Sequence, residues 1–481
     1  MNTIADQKAK PAQTCAPAGA GRGALASLAL CALLSSLGMS SANVALPALA
    51  QAFGASFQQV QWVVIAYLLA TTTLVVSAGR LGDIVGRRRL LLGGIALFTA
   101  ASAVSGAAPT LWVLIAARAG QGLGAAVMMA LAMAMVSAAA PKTKAGSAMG
   151  MLGAMSAVGT ALGPSLGGLL IDAVGWRAIF GFNLPLGVLT LACAHRWLPR
   201  DLPHPGQIRG GFDYIGTLLL AATLGAYALS MTLGRSLGPL NLALLLGAAI
   251  GLVLFVFTQS RAASPMLRLS LLRNAGLRAG IAASALVSTV MMATLVVGPF
   301  YLSVAFGLNA AMVGLVMSAG PVCAALAGVP AGRLADRFGP RRMALAGLAG
   351  IAAGSLALSR MPTAFGVSAY LGAIAVMTVS YALFQTANNT AVMASVPSGE
   401  GGVIAGVLNL SRNVGFITGA GAMGLVFAMG AGSSKLLAAP AHAVADGMRL
   451  TFGVGAGLIA IALLVSAASR PATRGAPVMN K

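Results

Sequence analysis

The sequence predicts an all-α polytopic membrane protein of fourteen transmembrane helices, built as two pseudo-symmetric six-helix halves with two inserted helices between them. Three observations predict it. The 481-residue chain is 58% hydrophobic and only 8% charged, against roughly 25% charged residues in a soluble domain, so most of its surface must face lipid. Its apolar stretches are long and continuous, unlike the short alternating segments of a β-barrel. An arginine-rich segment between two such stretches, GRLGDIVGRRR at Gly79–Arg89, returns as GRLADRFGPRR at Gly332–Arg342, 253 residues further on.

A helix crossing a ~30 Å hydrocarbon core needs about 20 apolar residues. Runs of this kind lie at 24–46, 60–79, 90–108, 110–136, 145–170, 178–197, 214–233, 239–259, 277–301, 310–331, 343–360, 366–393, 402–430 and 448–468. The first follows a polar stretch carrying Lys8, Lys10 and Arg22, and Ala48-Leu49-Ala50 is a weak match to a signal cleavage site. Its length, at the head of a polytopic chain, predicts an uncleaved span instead. With the N-terminus inside, 23 of the 30 basic residues fall on the cytoplasmic side, five fall outside, and Arg118 and Arg412 lie within spans. That bias supports an even count, with both termini cytoplasmic. Trp62, Trp112 and Trp176 then fall near the outer interface and Trp197 near the inner one, as an aromatic belt requires.

The duplication sets the domain plan. Shifted by 253 residues, the first six spans start near 277, where span nine starts, so spans seven and eight are an insertion between two six-helix halves. A second alignment, residues 146–164 on 402–420 at an offset of 256, pairs Gly146, Gly150, Gly159 and Gly163 with Gly402, Gly406, Gly415 and Gly419. The plan is a tail at 1–23, a first half at 24–197, a linker with two inserted helices at 198–276, a second half at 277–468 and a tail at 469–481. Parallel repeats of this kind are a transporter architecture, with a substrate site between the halves near the midplane.

Other classes fare worse. The net charge of +22 sits in short turns between apolar runs, so it reads as topology information and not as a nucleic-acid surface. No pair of acids, and no His with an acid, converges inside a span, which excludes an intramembrane enzyme. A channel suits the two-half repeat less well than alternating access, and a transport-inactive sensor would typically carry a soluble domain. Cys15, Cys31, Cys193 and Cys323 show neither disulfide nor metal-ligand spacing. No metal and no cofactor is expected. The expected partners are the lipid bilayer, a small-molecule substrate and protons, and no periplasmic adaptor can be named.

Three motifs carry a family resemblance: the repeated GRLGDIVGRRR turn, LIAARAGQGLGAA with Arg118 in span four, and Gly150, Gly159, Gly163, Pro164, Gly167 and Gly168 in span five. Together with GWRAIFGFNLPLG at Gly175–Gly187, they resemble the major facilitator superfamily, in its fourteen-helix drug:proton antiporter branch. The resemblance implies the major facilitator fold and export of small amphipathic drugs or metabolites in exchange for protons. Uniport or a different coupling is the second reading. It further implies that the span-five glycines are the antiporter motif, and that Arg118 serves in proton transfer. High Ala, Gly and Arg content suggests a GC-rich bacterial genome, and hence an inner-membrane location.

Physical reading of the residues gives the rest of the site. Gly79, Asp83, Gly86, Arg87 and Arg88, with Gly332, Asp336, Gly339 and Arg341, form two gating turns. By pseudo-symmetry, Asp83 approaches the start of span thirteen near Gly402, and Asp336 that of span five near Gly146. A carboxylate at a helix N-terminus gains about 0.3–1 kcal/mol, so these are latches that hold the cytoplasmic side shut. The span-five glycines lie near one face and admit a close partner helix, and Pro164 can kink the span. Arg118 and Arg412, costly inside a bilayer, are coupling candidates. Gln61, Trp62, Tyr67, Asn388, Asn389, Asn409 and Asn413 are candidates for the walls of a substrate cavity. Asp172 has Arg177 as its expected partner, and Asp213 caps span seven. Many members of the branch carry an acid in span one just before the stretch matching Asn43–Pro47. Here that position is Gly38. With two arginines and no acid inside, the cavity should favour neutral or anionic compounds over cations.

Overall fold

A computed structural model describes residues 18–139, 145–199, 213–233, 238–261, 274–394, 401–433 and 435–469. Among these the chain is helical throughout. The first group is α1 (Ala18–Val44), α2 (Leu46–Phe53), α3 (Phe57–Val85), α4 (Arg87–Ala107), α5 (Leu111–Ala139), α6 (Ala145–Val174) and α7 (Arg177–Trp197). Next come α8 (Tyr214–Thr232) and α9 (Pro239–Arg261). The second group is α10 (Ala275–Ala305), α11 (Ala310–Phe338), α12 (Pro340–Arg360), α13 (Gly366–Ala394), α14 (Gly401–Thr418), α15 (Gly424–Gly430) and α16 (Ala441–Ala468). Thirteen spans are long and apolar enough to cross a bilayer, and α3, taken through a 59° bend between Val75 and Ser77, is the fourteenth.

Local chemistry sets the breaks. Pro47 cannot donate to a preceding carbonyl, so α1 ends and Pro47 sits in the first turn of α2. Gly54, at φ 57°, closes α2, and Ser56 opens α3 with a reciprocal capping box to Gln59. Three consecutive threonines lie just ahead of the bend in α3. Thr71, Thr72 and Thr73 donate to the carbonyls of Tyr67, Leu68 and Leu69, four residues back. Such back-bonding competes with the helical ladder and bends helices. Between α14 and α15 the backbone runs as a π-helix over Gly419–Met423. The expected span 402–430 is therefore one membrane crossing with a wide turn inside it.

The arginine-rich segments are not loops. Helix α3 runs on to Val85 and α4 begins at Arg87, so only Gly86 separates them; α11 and α12 meet likewise at Gly339. These residues adopt φ 105° and φ 87°, a region open to glycine and strained for any other residue. The expected ends at 79 and 331 fell short because apolar length measures the bilayer, while a helix of polar residues can continue past it into water.

The two groups repeat the same contacts. Arg88 donates to the carbonyl of His195 in the last turn of α7 at 2.7 Å, and Arg341 to that of Ala467 in the last turn of α16 at 2.8 Å. Each caps orphan carbonyls at a helix C-terminus, where a cation is also favoured. Helix α6 packs on α1 through Gly159, beside Leu33 and Ser36, and Gly163, beside Ser40 and Ser41. In the second group α14 packs on α10 through Gly415, beside Ala285 and Ser288, while Gly419 of the π-helical turn faces Thr289 and Met292. Gly94 lets α4 approach α5 at Val127, and Gly347 lets α12 approach α13 at Phe384.

The core joins the groups directly at the end away from the arginine turns, and a smaller cluster joins α3 to α14 through α8. At the end away from the arginine turns, one apolar cluster takes in Leu46, Phe57, Val60 and Phe180 of the first group together with Val296, Phe300, Phe427 and Phe452 of the second. Toward the turn end, the cluster of Leu28, Leu91, Leu131 and Leu152 belongs to the first group alone. That of Leu277, Val392, Ile404 and Leu408 belongs to the second.

Gly339→Val is expected to cost about 1–3 kcal/mol, because it forces a β-branched residue to positive φ. The readout is a lower thermal unfolding midpoint of the detergent-purified protein. Gly93→Ala, which meets nothing within 4 Å, should leave the midpoint in place.

Candidate functional site

Arg118 is the most deeply buried charge among the described residues, with no exposed surface. Its Nε donates to the Val63 carbonyl at 2.9 Å, and its Nη1 to the Gly38 carbonyl at 2.9 Å and to Gln121 Oε1 at 2.7 Å. Its guanidinium lies 4.4 Å from the centre of the Tyr67 ring. Gln121 in turn donates to Ser102 at 2.6 Å, and the Tyr67 hydroxyl donates to the Ser35 carbonyl at 2.9 Å. One side chain thus ties α5 to α1, α3 and, through Gln121, α4. The second terminal nitrogen, Nη2, has no partner. Charge-assisted bonds to carbonyls offset burial that would otherwise be prohibitive.

Gly38 explains how the arginine manages without an acid. Its carbonyl accepts the bond from Nη1, and a Cβ built there would stand 2.6 Å from the tip of the Phe98 ring. The space a carboxylate side chain would take is filled by Phe98.

Arg412 sits differently. It is half-buried on α14, with Nη2 at 3.5 Å from Asn409 Oδ1. Ala405, Asn409, Arg412 and Phe416, at helical spacing, are all half-buried, so this face of α14 is incompletely covered. The pseudo-symmetric position to Arg412 is Ser156, which shares a 2.6 Å hydrogen bond with Ser36 of α1. The first group therefore presents a neutral hydroxyl pair at the position where the second presents a cation.

The other wall candidates divide. Tyr67 is sealed against Arg118. Trp62 donates from Nε1 to Thr232 of α8 at 3.1 Å. Gln61 is fully buried where α3 meets α15, against Gly424, with both amide atoms unpartnered. Asn388 donates to the Gly280 carbonyl at 3.2 Å and so joins α13 to α10. Asn413 is buried, while Asn389 and Asn409 are half-buried. The structure groups Arg412 with Asn409, and separates both from the knot around Arg118. A groove of about 610 Å³ between α12 and α13, lined by Gly354, Arg360 and Phe365, includes none of these residues.

The span-five glycines do two jobs. Gly159, Gly163 and Gly167 face α1, whereas Gly168 faces Ala310 and Gly314 of α11, across the seam between the groups. Gly150 meets nothing within 4 Å, so it does not share their packing role. Pro164 lies inside the unbroken α6, with its carbonyl against Gly314. One turn further along, Asp172 accepts from Asn309 of α11 at 3.3 Å. Arg177 donates instead to the Ala108 carbonyl at 3.2 Å and stacks on Trp176 at 4.4 Å, so the expected Asp172–Arg177 pair is not formed. Asp213 does cap α8, accepting from the Gly216 N–H at 2.7 Å.

At the turn end each group has its own apolar cluster. Asp83 is exposed and paired with Arg87 of its own turn at 3.0 Å. Asp336 is exposed, with no ion pair among the described residues. The expected latch partners, the helix starts near Gly402 and Gly146, adjoin residues 140–144 and 395–400, which lie outside the described residues. Gly79 and Gly332 meet nothing within 4 Å.

Sequence reasoning missed three features. Gln121, three residues after Arg118, was visible as a second polar residue on the same helix face. The capping of α7 and α16 by Arg88 and Arg341 had a signal in the repeat itself, because both arginines occupy the same place in it. The hydrogen bond between Tyr227 of α8 and Thr418 of α14, 2.9 Å, had none.

Fourteen apolar spans, twelve of them in two groups with matching contacts and two inserted between, define a polytopic transporter fold. The family model for the Major Facilitator Superfamily matches residues 28–420 and 281–480, and the chain belongs to that superfamily. It is 33% identical over 390 residues to the multidrug resistance protein Stp of Mycobacterium tuberculosis, covering 80% of this chain and 72% of that protein. It is 30% identical over 410 residues to the multidrug efflux pump LfrA of Mycolicibacterium smegmatis, covering 84% and 80%. The riboflavin transporter RibZ of Clostridioides difficile is 29% identical over 386 residues, covering 80% and 84%. The multidrug-efflux relatives support the drug:proton antiporter branch. Among solved structures, a bacterial homolog of the lysosomal transporter Spinster, inward-facing and unoccupied, superposes with a TM-score of 0.68 at 15% identity, covering 94% of this chain and 98% of that one. A D-xylose–proton symporter gives 0.67 at 15%, covering 95% and 99%.

Arg118→Met keeps the length of the side chain but strands the carbonyls of Gly38 and Val63. It is expected to cost about 2–4 kcal/mol, seen as a lower thermal midpoint and increased protease cleavage. An unchanged midpoint would mean that the guanidinium does not hold α1, α3 and α5 together.

Proposed function

We propose that the protein is a secondary active transporter that works by alternating access and exports small amphipathic compounds in exchange for protons. The observation that carries this reading is the divided core. One apolar cluster spans both groups at one end, and separate clusters serve each group at the other. Two bodies joined at one end and apart at the other are one state of a rocking pair. On this reading the bodies are the halves 24–197 and 277–468, the turn end is cytoplasmic, and the structure is inward-facing. The membrane is the bacterial inner membrane, with both termini inside.

Asp83 and Asp336 are then latches in their released position. They engage the starts of α14 and α6 when the cytoplasmic side closes. Gly168 and Gly314 form the tight contact of the opposite closure. Arg412 and Asn409 line the passage, and Arg118 braces the first half. Relatives named for multidrug resistance support an amphipathic cargo, and Arg412, with no acid paired to it among the described residues, supports a neutral or anionic one. Facilitated or differently coupled transport is the second reading, favoured by one observation: Phe98 fills the place of a span-one acid.

Transport into inverted vesicles, with and without an imposed pH gradient, tests coupling across a panel of neutral, anionic and cationic compounds. Uptake that depends on the gradient, strongest for neutral and anionic compounds, is expected. Gradient-independent flux would overturn proton exchange, and strong ethidium transport would overturn the charge preference. Asp83→Asn should slow transport about tenfold and raise thiol labelling of a cysteine at the cytoplasmic end. If both stay unchanged, the latch is not a gate.

A further inference from the structure

The inserted helices are the part of the chain to which the two-half repeat assigns no role. Helix α9 packs on α8, donating from Asn241 to the carbonyls of Ser230 and Leu233 at 2.6 Å each, and from Gln259 to Asp213 at 2.7 Å. Its other face, with Leu240, Leu246 and Val253, is exposed and suits lipid. Helix α8 lies over the seam between α3 of the first group and α14 of the second. An apolar cluster of Leu220, Leu224 and Phe255 packs there with Leu69 of α3 and with Leu410 and Val414 of α14.

The attachments of α8 to the two groups differ in kind. To α3 it is pinned at both ends. Thr217 shares a 3.1 Å hydrogen bond with Ser77 toward the turn end, and Thr232 accepts from Trp62 at 3.1 Å toward the joined end. Two polar bonds separated by fifteen residues fix both the position and the rotation of a helix. To the second group its described polar and close backbone contacts lie near the joined end. Tyr227 shares a 2.9 Å hydrogen bond with Thr418, and Met231 lies on Gly421, where a built Cβ would stand 3.0 Å from the Met231 Cβ. Both contacts fall on or beside the π-helical turn Gly419–Met423. Lower down, among the described residues, α14 meets the α8 cluster through Leu410 and Val414, and apolar contact is non-directional, so it permits sliding.

We infer that α8 and α9 travel with the first half, as a sliding wall over the α3–α14 seam, and that Tyr227–Thr418 with Met231–Gly421 is a clasp that opens whenever the joined end opens. This rests on the alternating-access reading. Covering the seam keeps lipid out of the passage while the halves turn against each other. A wall bound equally to both halves would prevent that turning.

Three cross-links test it, in a chain in which Cys15→Ser, Cys31→Ala, Cys193→Ala and Cys323→Ala leave no other thiol. Ser77→Cys with Thr217→Cys locks α8 to the first half, and oxidation should leave transport intact. Met231→Cys with Gly421→Cys locks it to the second half, and oxidation should cut transport about tenfold or more, with recovery on reduction. Asp172→Cys with Asn309→Cys, joined by a short bis-thiosulfonate linker, locks the halves directly and should also block transport. The reduced or unlinked form of each variant reports whether the substitutions alone do harm. Where the Met231–Gly421 pair harms transport in the reduced form, Tyr227→Cys with Thr418→Cys and the same linker replaces it. If the direct lock leaves transport intact, alternating access is the reading that fails. If the direct lock blocks but the clasp lock does not, the clasp fails alone. Block by the Ser77–Thr217 lock overturns the assignment of α8 to the first half.

Discussion

Phe57 stands edge-on to Phe300 at 4.8 Å and to Phe427 at 5.5 Å, at the point where α3 of the first group meets α10 and α15 of the second. Around it the seam is closed by shape. Gly168 and Gly314 let α6 and α11 touch backbone to backbone, and Gly424 leaves room for Gln61. Everything else about the molecule follows from this seam being at one end, because it decides which faces are buried and which line open space. The seam also carries an internal cost. Gln61 has neither amide atom satisfied, and Gln58 Nε2 is likewise unpartnered. Each buried orphan costs about 1–3 kcal/mol, comparable to burying an aliphatic side chain at about 1.5–3 kcal/mol. Aromatic burial and amide desolvation therefore oppose each other in one contact, a balance that suits the reversible closure proposed above.

Within each group the bonds are of a different character. Arg88 and Arg341 cap the last helices of their groups, and glycines bring α6 onto α1 and α14 onto α10 in matching fashion. These contacts are satisfied and repeated, which keeps each group stiff. The two groups part company at the polar positions. The first buries Arg118 in carbonyls and shows Ser36 and Ser156, whereas the second shows Arg412 half-exposed. Symmetry holds where the contacts are structural and fails at these polar positions.

The fold was legible because lipid permits few structures. Long apolar runs had to be helices, and the repeat of GRLGDIVGRRR fixed how the groups relate. Helix ends past the bilayer were less legible. Gly79–Val85 is polar enough to read as a turn, yet nothing in it stops a helix until Gly86 demands positive φ. The site was legible at Arg118, whose burial follows from its place in an apolar run, and less so at the asparagines. Whether Asn388 serves as glue or Asn409 as wall depends on which neighbour's carbonyl is in reach, and spacing along one helix does not carry that. Tyr227–Thr418 joins residues 191 positions apart through an inserted helix that the repeat says nothing about.

The charge of the passage follows from the same geometry. Arg118 spends its donors on Gly38, Val63 and Gln121 and is walled in by Tyr67 and Phe98, so it is screened from a passenger. Arg412 has one long bond to Asn409 and partial exposure. At 4 Å and an effective dielectric of about 20, a unit charge feels another at about 4 kcal/mol. A cation beside Arg412 is therefore disfavoured by roughly the amount that an anion there is favoured. That difference exceeds what one stacking contact on an aromatic wall returns to a cation, about 0.5–2 kcal/mol. On the proposed reading, a preference against cations rests on the half-buried guanidinium of Arg412 in the second group, while Phe98 occupies the space beside Gly38 in the first.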